Sequence, residues 1–162
     1  MINFLPAPIQ LGLVDHPDRS TQISDMTDHV AKEKRSQIMA SVRSRNTGPE
    51  LTVRSALHRL GYRFRLHRRD LPGSPDIVFP SKRKVIFVHG CYWHGHGCRW
   101  SKLPKTNVEF WRDKIGRNQQ RDLSNIRSLT ELGWSSHTIW QCELRLDLDL
   151  SLAQTVEFLD RG

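Results

Sequence analysis

Residues 89–98 read His-Gly-Cys-Tyr-Trp-His-Gly-His-Gly-Cys, which puts three imidazoles, two thiols and two large aromatics into ten positions. A packed core has no need of that density of polar and nucleophilic groups, whereas metal binding and acid–base chemistry do. Cys91, His96 and Cys98 can close on one zinc ion because Gly95 and Gly97 let the backbone fold back tightly. Cys142 is the only other cysteine in the chain, so the simplest count completes a Cys3His site. Each thiol taken singly could instead be a small buried hydrophobe. An odd cysteine count without a secretory signal argues against a disulfide framework. With four ligands assigned to zinc, His89 and His94 are left for other work.

Three carboxylates could act with them. Asp76 opens the apolar run Ile77-Val78-Phe79, a second apolar run covers residues 85–88, and the polar residues 82–84 between them make a turn. A hairpin built this way brings Asp76 and His89 to the same edge of a sheet. There Asp76 can cap a turn, or it can hold a metal with help from the main-chain carbonyl of Val88. Glu50 falls in the first turn of a helix over residues 49–60, where the helix dipole favours a carboxylate without any catalytic duty. Asp122 stands on the stripe Val108, Trp111, Ile115, Asn118, Asp122, Ile126 and Leu129, which is otherwise mostly apolar. A carboxylate on such a face needs a donor, and a nearby histidine is the natural one; otherwise the stripe turns toward solvent there.

The elements that must position these groups follow from pattern. Thr47 is placed to cap the helix over 49–60, with Pro49 in its first turn, Val53, Ala56, Leu57 and Leu60 inward and Gly61 at its end. Residues 62–67 alternate aromatic or aliphatic with basic and predict a half-buried strand. Thr106 and Glu109 form a capping box for a long helix reaching about residue 132, which Gly133 ends. Residues 134–140 predict a strand that returns Cys142 toward Cys91. A partly alternating polar stretch over 143–150 then leads to a last helix over 152–159.

The chain has 162 residues, enough for one domain with one core, and a net charge of +8. Its pI near 9.9 favours a polyanionic partner, nucleic acid being the commonest, although a merely soluble basic surface would have the same value. No stretch is long and apolar enough to span a membrane. Residues 1–25, interrupted by Pro6, Pro8 and Pro17, are expected to be a disordered N-terminal extension, with Met26 a candidate initiator and 26–162 a single domain. Residues 28–45 read as a basic amphipathic helix that could lie along a phosphate backbone or simply be a solvated face.

Several motifs then line up in one order: Asn46-Thr-Gly-Pro-Glu50, Leu71-Pro-Gly-Ser-Pro-Asp76, Phe87-Val-His-Gly-Cys-Tyr-Trp-His94, His96-Gly-Cys98, Phe110-Trp-Arg-Asp-Lys-Ile-Gly-Arg-Asn118, Arg121-Asp122 and Trp140-Gln-Cys142. Over about residues 26–159 the chain resembles the very short patch repair (Vsr) mismatch endonucleases. The resemblance implies an α/β restriction endonuclease-like fold, a mixed central sheet flanked by helices, with a structural zinc site. It implies nicking of duplex DNA 5′ of the thymine in a T:G mismatch left by deamination of 5-methylcytosine, which initiates very short patch repair.

Carried over position by position, the family pattern makes Asp76 the magnesium carboxylate, with the Val88 main-chain oxygen, and His94 the general base. Asp122 would orient that imidazole, and Glu50 and His89 would hold the metal's water shell. Cys91, His96, Cys98 and Cys142 match the zinc ligands. Tyr92, Trp93 and Trp111 match the aromatics that wedge into DNA beside the mispair, where unstacking is cheapest. The implied cofactors are catalytic magnesium and structural zinc. The implied partners are mismatched double-stranded DNA and MutL-type repair factors, for a monomer in the bacterial cytoplasm at the nucleoid. Tyr92 stands where phenylalanine is more familiar, and Ser135, Ser136 and His137 make the predicted strand before Trp140 unusually polar. The sheet lacks the acid and lysine pair usual on the second catalytic strand of restriction-like nucleases; Val88 and His89 occupy that place. Two other readings are a sequence-specific restriction enzyme of the same fold, which would cut both strands of paired DNA, and a catalytically silent zinc module that only binds DNA.

Overall fold

The computed structural model describes residues 45–161. The expected extension over 1–25 and nearly all of the basic arm over 28–45 lie outside the described residues. The elements in chain order are α1 (Gly48–Arg59), β1 (Arg65–Leu66), β2 (Ile77–Phe79), β3 (Lys84–His89), α2 (Val108–Glu131), β4 (Ser135–Trp140), α3 (Gln141–Leu146) and α4 (Leu148–Asp160). They build a mixed four-stranded sheet in the order β1-β2-β3-β4, flanked by helices. The strands β1, β2 and β3 are antiparallel, and β4 lies parallel to β3.

Side chains alternate across a strand, so each apolar strand can serve two faces of a sheet at once. On one face Ile77, Phe79, Ile86 and Ile139 pack with Val53 and Leu57 of α1 and Leu159 of α4. On the other, Val78, Val85 and Phe87 pack with Leu71 and with Leu129 of α2. The central strands are therefore apolar at nearly every position because helices cover both sides. The hairpin expected from the two apolar runs is present, with Ile77 opposite Ile86 and Val78 opposite Val85. Its turn is a short 3-10 segment, Pro80–Lys82, closed by Arg83 in the left-handed region.

Several expected elements differ. The strand over 62–67 shrinks to Arg65–Leu66, because Tyr62 and Phe64 turn onto the core around Phe79 and His67, at φ 47°, breaks the extension. Leu60, expected inward, is exposed beyond the last turn of α1. The capping box at Thr106 does not form: α2 begins at Val108, with Asn107 at its N-cap in the left-handed region and no side-chain cap. Residues 143–150, read as a partly alternating polar stretch ahead of the last helix, are themselves helical, split at Asp147, whose carboxylate accepts the Leu150 N–H and caps α4. The polar Ser135 to His137 segment is tolerated because only Ile139 of β4 is fully buried, and His137 stacks on Phe158 with its ring near the Thr155 hydroxyl. No helix among the described residues is long and apolar enough to cross a membrane.

Candidate active site and metal centre

Strand ends and one helix face assemble two neighbouring clusters. The register of β2 on β3 brings Asp76 beside the end of β3, and its Oδ2 accepts the Val88 N–H at 2.8 Å. The turn-rich segment after β3 folds back through Gly95 and Gly97, both at positive φ, and lies against α2. Asn118 of the α2 stripe donates to the Trp93 carbonyl at 2.8 Å and the neighbouring Gln119 to the Gly95 carbonyl at 3.0 Å, so this part of α2 grips the loop. One turn further on, Asp122 Oδ2 lies 2.5 Å from His94 Nδ1. A carboxylate can only accept, so Nδ1 carries the proton in the neutral ring and Nε2 keeps a free lone pair. His89 stacks on His94 with ring centroids 3.7 Å apart and an interplanar angle of 7°, which fixes the plane of the imidazole.

Charge is balanced unusually here. Burial pushes the Asp76 carboxyl up to about 6, against the pull of the Val88 N–H; the Glu50 charge raises it further, and Arg54 and His94 act in the opposite direction. Burial, then the neighbouring His94, pulls His89 down to about 4. Glu50 is buried, and both its oxygens are engaged: Oε2 accepts from the Asn46 N–H at 3.0 Å and from Arg54 at 2.5 Å, Oε1 from the Thr47 hydroxyl at 2.9 Å. Thr47 therefore binds Glu50 rather than capping α1 with its side chain. The expected first-turn carboxylate has a buried guanidinium as its partner, at the ordinary (i, i+4) helical spacing that the sequence already displays.

The second cluster is Cys91, His96, Cys98 and Cys142, whose ligand atoms all lie within 4.8 Å of one another. Because β4 runs parallel to β3, the first turn of α3 delivers Cys142 beside Cys91: the Cys142 N–H donates to Cys91 Sγ at 3.3 Å, and Cys142 Sγ lies 3.3 Å from His96 Nδ1. Burial pushes the Cys91 thiol up to about 12. Cys98 is also pushed up by burial, but hydrogen bonds from His96 and the Trp100 backbone outweigh this and bring it to about 7. Three sulfurs and one imidazole at this spacing suit a closed tetrahedral zinc site.

Trp140, which the sequence placed in a motif without a role of its own, connects the clusters. It stacks on His96 at 4.1 Å and meets the His89 and His94 rings edge-on at 5.5 and 6.5 Å. Its position at the end of β4, two residues before Cys142, was the available signal. Tyr92, Trp93 and Trp111 do form one aromatic group, with centroids 5.1 to 6.0 Å apart, and Lys114 lies over the Trp93 and Trp111 rings. Trp111 is the buried member at 9% exposure, whereas the adjacent Phe110 is 54% exposed.

Gly95 is held by contact as well as by φ (+59°): a Cβ there would lie 2.7 Å from Ile115 Cγ2 and 2.5 Å from Gln119 Nε2. Gly95→Ala is expected to cost about 1–3 kcal/mol through backbone strain and overlap. Thermal melting should then show a fall of several degrees, and an unchanged midpoint would mean that the loop yields without loss.

Comparison with known proteins converges on one family. The model of the family described as DNA mismatch endonuclease Vsr matches residues 27–100. The type II nicking enzyme V.XorIIP of Xanthomonas oryzae pv. oryzae is 54% identical over 135 residues, covering 83% of this chain and 98% of that protein. The DNA mismatch endonuclease Vsr of Escherichia coli K12 is 44% identical over 120 residues, covering 74% of this chain and 77% of that one. On these matches, which extend over most of the chain, the protein belongs to the Vsr family of DNA mismatch endonucleases.

Proposed function

We propose that the protein is a DNA mismatch endonuclease that nicks duplex DNA on the 5′ side of the thymine in a T:G mispair, on a restriction endonuclease-like scaffold. The observation that carries this reading is the 2.5 Å contact of Asp122 with His94 Nδ1, which leaves Nε2 as a proton acceptor. In this scheme His94 takes a proton from the attacking water at Nε2, and Asp122 holds the ring in the tautomer that can do so and stabilises the imidazolium that forms. His89 stacks behind the ring and keeps it in plane.

The residues fit a hard divalent cation at Asp76: its carboxyl is buried at the end of the hairpin, its charge is disfavoured there, and the Val88 main chain is adjacent. Magnesium held by Asp76 and the Val88 carbonyl would supply charge neutralisation at the scissile phosphate. Glu50 and His89 would order its water shell in this scheme, as the family pattern implies. The second cluster fits zinc as a structural ion that locks the loop bearing His94 to α3. Tyr92 and Trp93, backed by the buried Trp111, would form the wedge entering the duplex at the weakened base step, and the net positive charge favours the backbone.

Nicking of end-labelled duplexes in varied flanking sequence tests this. A single-strand break 5′ of thymine is expected in T:G substrates with magnesium, with matched T:A and C:G duplexes at least about 100-fold slower. Equal cutting of both strands in matched DNA would favour a restriction enzyme. Inactivity of folded, zinc-loaded protein in every context would leave a DNA-binding module only.

A further inference from the structure

His67 belongs to neither cluster by sequence, yet it lies between the two buried carboxylates. Its Nε2 is 2.9 Å from Arg54 Nη2, and its Nδ1 is 3.8 Å from Asp76 Oδ1. Glu50, His67 and Asp76 each offer a ligand atom within 4.8 Å of the others, so geometry alone would allow a cation among all three. Chemistry excludes His67 from that set. Arg54 has only donors, and its buried guanidinium reaches Glu50 Oε2 at 2.5 Å, Asn46 Oδ1 at 2.6 Å and the His67 ring. The Nε2 lone pair is therefore spent on Arg54, and a fixed positive charge stands where a cation shared by all three would sit.

A bare, accepting Nε2 leaves the ring proton on Nδ1, the atom facing Asp76 Oδ1. The other oxygen, Oδ2, is already held by the Val88 N–H at 2.8 Å. The 3.8 Å gap is too long for a direct hydrogen bond, and a shift of under about 1 Å or one bridging water closes it. His67 also has φ 47°, a conformation costly for a residue with a Cβ and one that clusters where function over-determines the backbone.

We propose that His67 is a positioning residue: Arg54 fixes it as the Nδ1–H tautomer, and it steadies the Oδ1 side of the Asp76 carboxylate for the cation without touching the cation itself. The inference rests on the reading of Asp76 as the magnesium carboxylate. The tautomer is read directly by two-dimensional 15N–1H correlation of the histidine rings in the full chain, without magnesium. A protonated Nδ1 and an unprotonated Nε2 are expected, and an Nε2–H ring or an imidazolium at neutral pH overturns the proposal. His67→Gln can replace both contacts, its amide oxygen accepting from Arg54 and its NH2 donating to Asp76, whereas His67→Ala can replace neither.

Magnesium affinity by calorimetry should therefore fall about 10–100-fold in His67→Ala and stay within about threefold of wild type in His67→Gln. The magnesium concentration for half-maximal nicking should move by the same factors, with KM for DNA unchanged. Wild-type affinity in His67→Ala, or a His67→Gln as weak as His67→Ala, overturns the positioning role. If wild type itself binds no magnesium, the reading of Asp76 fails and this inference with it, so the two failures are told apart. Should His67→Ala not fold, the ring spectrum and His67→Gln still decide.

Discussion

Asp76→Asn is expected to abolish nicking while raising the melting temperature of the magnesium-free protein. The Asp76 side chain is only 17% exposed, and burial holds its carboxyl near 6 in place of the usual 3.8. A folded-state pKa above the unfolded one means that the neutral form is preferred in the native protein. The contribution of this group to stability is therefore complete below about pH 4, declines as pH rises toward 6, and stays lost above that. At pH 7.5 the ionised carboxylate should weaken the fold by about 1–3 kcal/mol, since one pKa unit corresponds to about 1.4 kcal/mol. Asparagine is neutral at every pH and still offers an oxygen to the Val88 N–H. The variant should melt a few degrees higher at pH 7.5, and the gain should shrink toward pH 4. Loss of the only charged oxygen donor proposed for magnesium should remove several kcal/mol of phosphate charge stabilisation, a drop of at least about 1,000-fold in nicking rate. Melting below wild type at pH 7.5 would mean that Asp76 is a structural acceptor. Nicking within tenfold of wild type would move the metal elsewhere.

That opposition of stability and activity runs through the whole site. Glu50, Asp76 and Asp122 are all drawn away from bulk water, and each has a different partner: a guanidinium, a backbone N–H and an imidazole. Asp76 has the weakest compensation of the three, which is the state a carboxylate needs if a cation is to complete it.

What the sequence made legible divides along the same physical line. The β2–β3 hairpin and the α2 stripe could be read because their apolar residues repeat with the period of the element, and the repeat is what the two core faces require. Asp122 stood out as a carboxylate inside such a stripe, and the structure supplies the histidine it needed. The short elements could not be read in the same way. Two residues of β1 carry no period, and its pairing is decided by Phe64 and Tyr62 seeking the Phe79 surface. Residues 143–150 look alternating, yet a capping Asp147 between two short helices overrides the pattern. The network of Arg54 and His67 was missed because its members are far apart in the chain. Only the (i, i+4) spacing of Arg54 from Glu50 hinted at it. Parallel placement of β4 beside β3 is likewise a tertiary outcome, foreshadowed only by the need for Cys142 to reach Cys91.

That reach is the basis of the second large expected effect. Cys142→Ser should release one bound zinc per chain, lower stability by on the order of 3–5 kcal/mol, and silence nicking even with saturating magnesium. A serine hydroxyl is a poor zinc ligand, and without the ion the remaining thiols are a buried Cys91 and a half-buried Cys98. Cys91, pushed up to about 12, would stay protonated and could hold His96 and Cys98 only by weak contacts. The loop carrying residues 90–98 would then be tied down mainly by the Asn118 and Gln119 hydrogen bonds from α2. His94 would suffer next, because Trp140 stacks on His96 and meets the His94 ring edge-on, so a displaced His96 loosens the wall against which the His94 imidazole is set. The melting midpoint should fall by about 10 °C and the near-ultraviolet circular dichroism of the tryptophans should weaken, whereas the far-ultraviolet spectrum at 20 °C changes little, since both core faces of the sheet lie outside the cluster. Chelator treatment of the wild type should reproduce the same series, with zinc and not magnesium restoring it. Purified wild type without zinc, or a Cys142→Ser that melts within 2 °C of it, would reduce the four ligands to a packed cluster of thiols, and the placement of His94 would then need another cause.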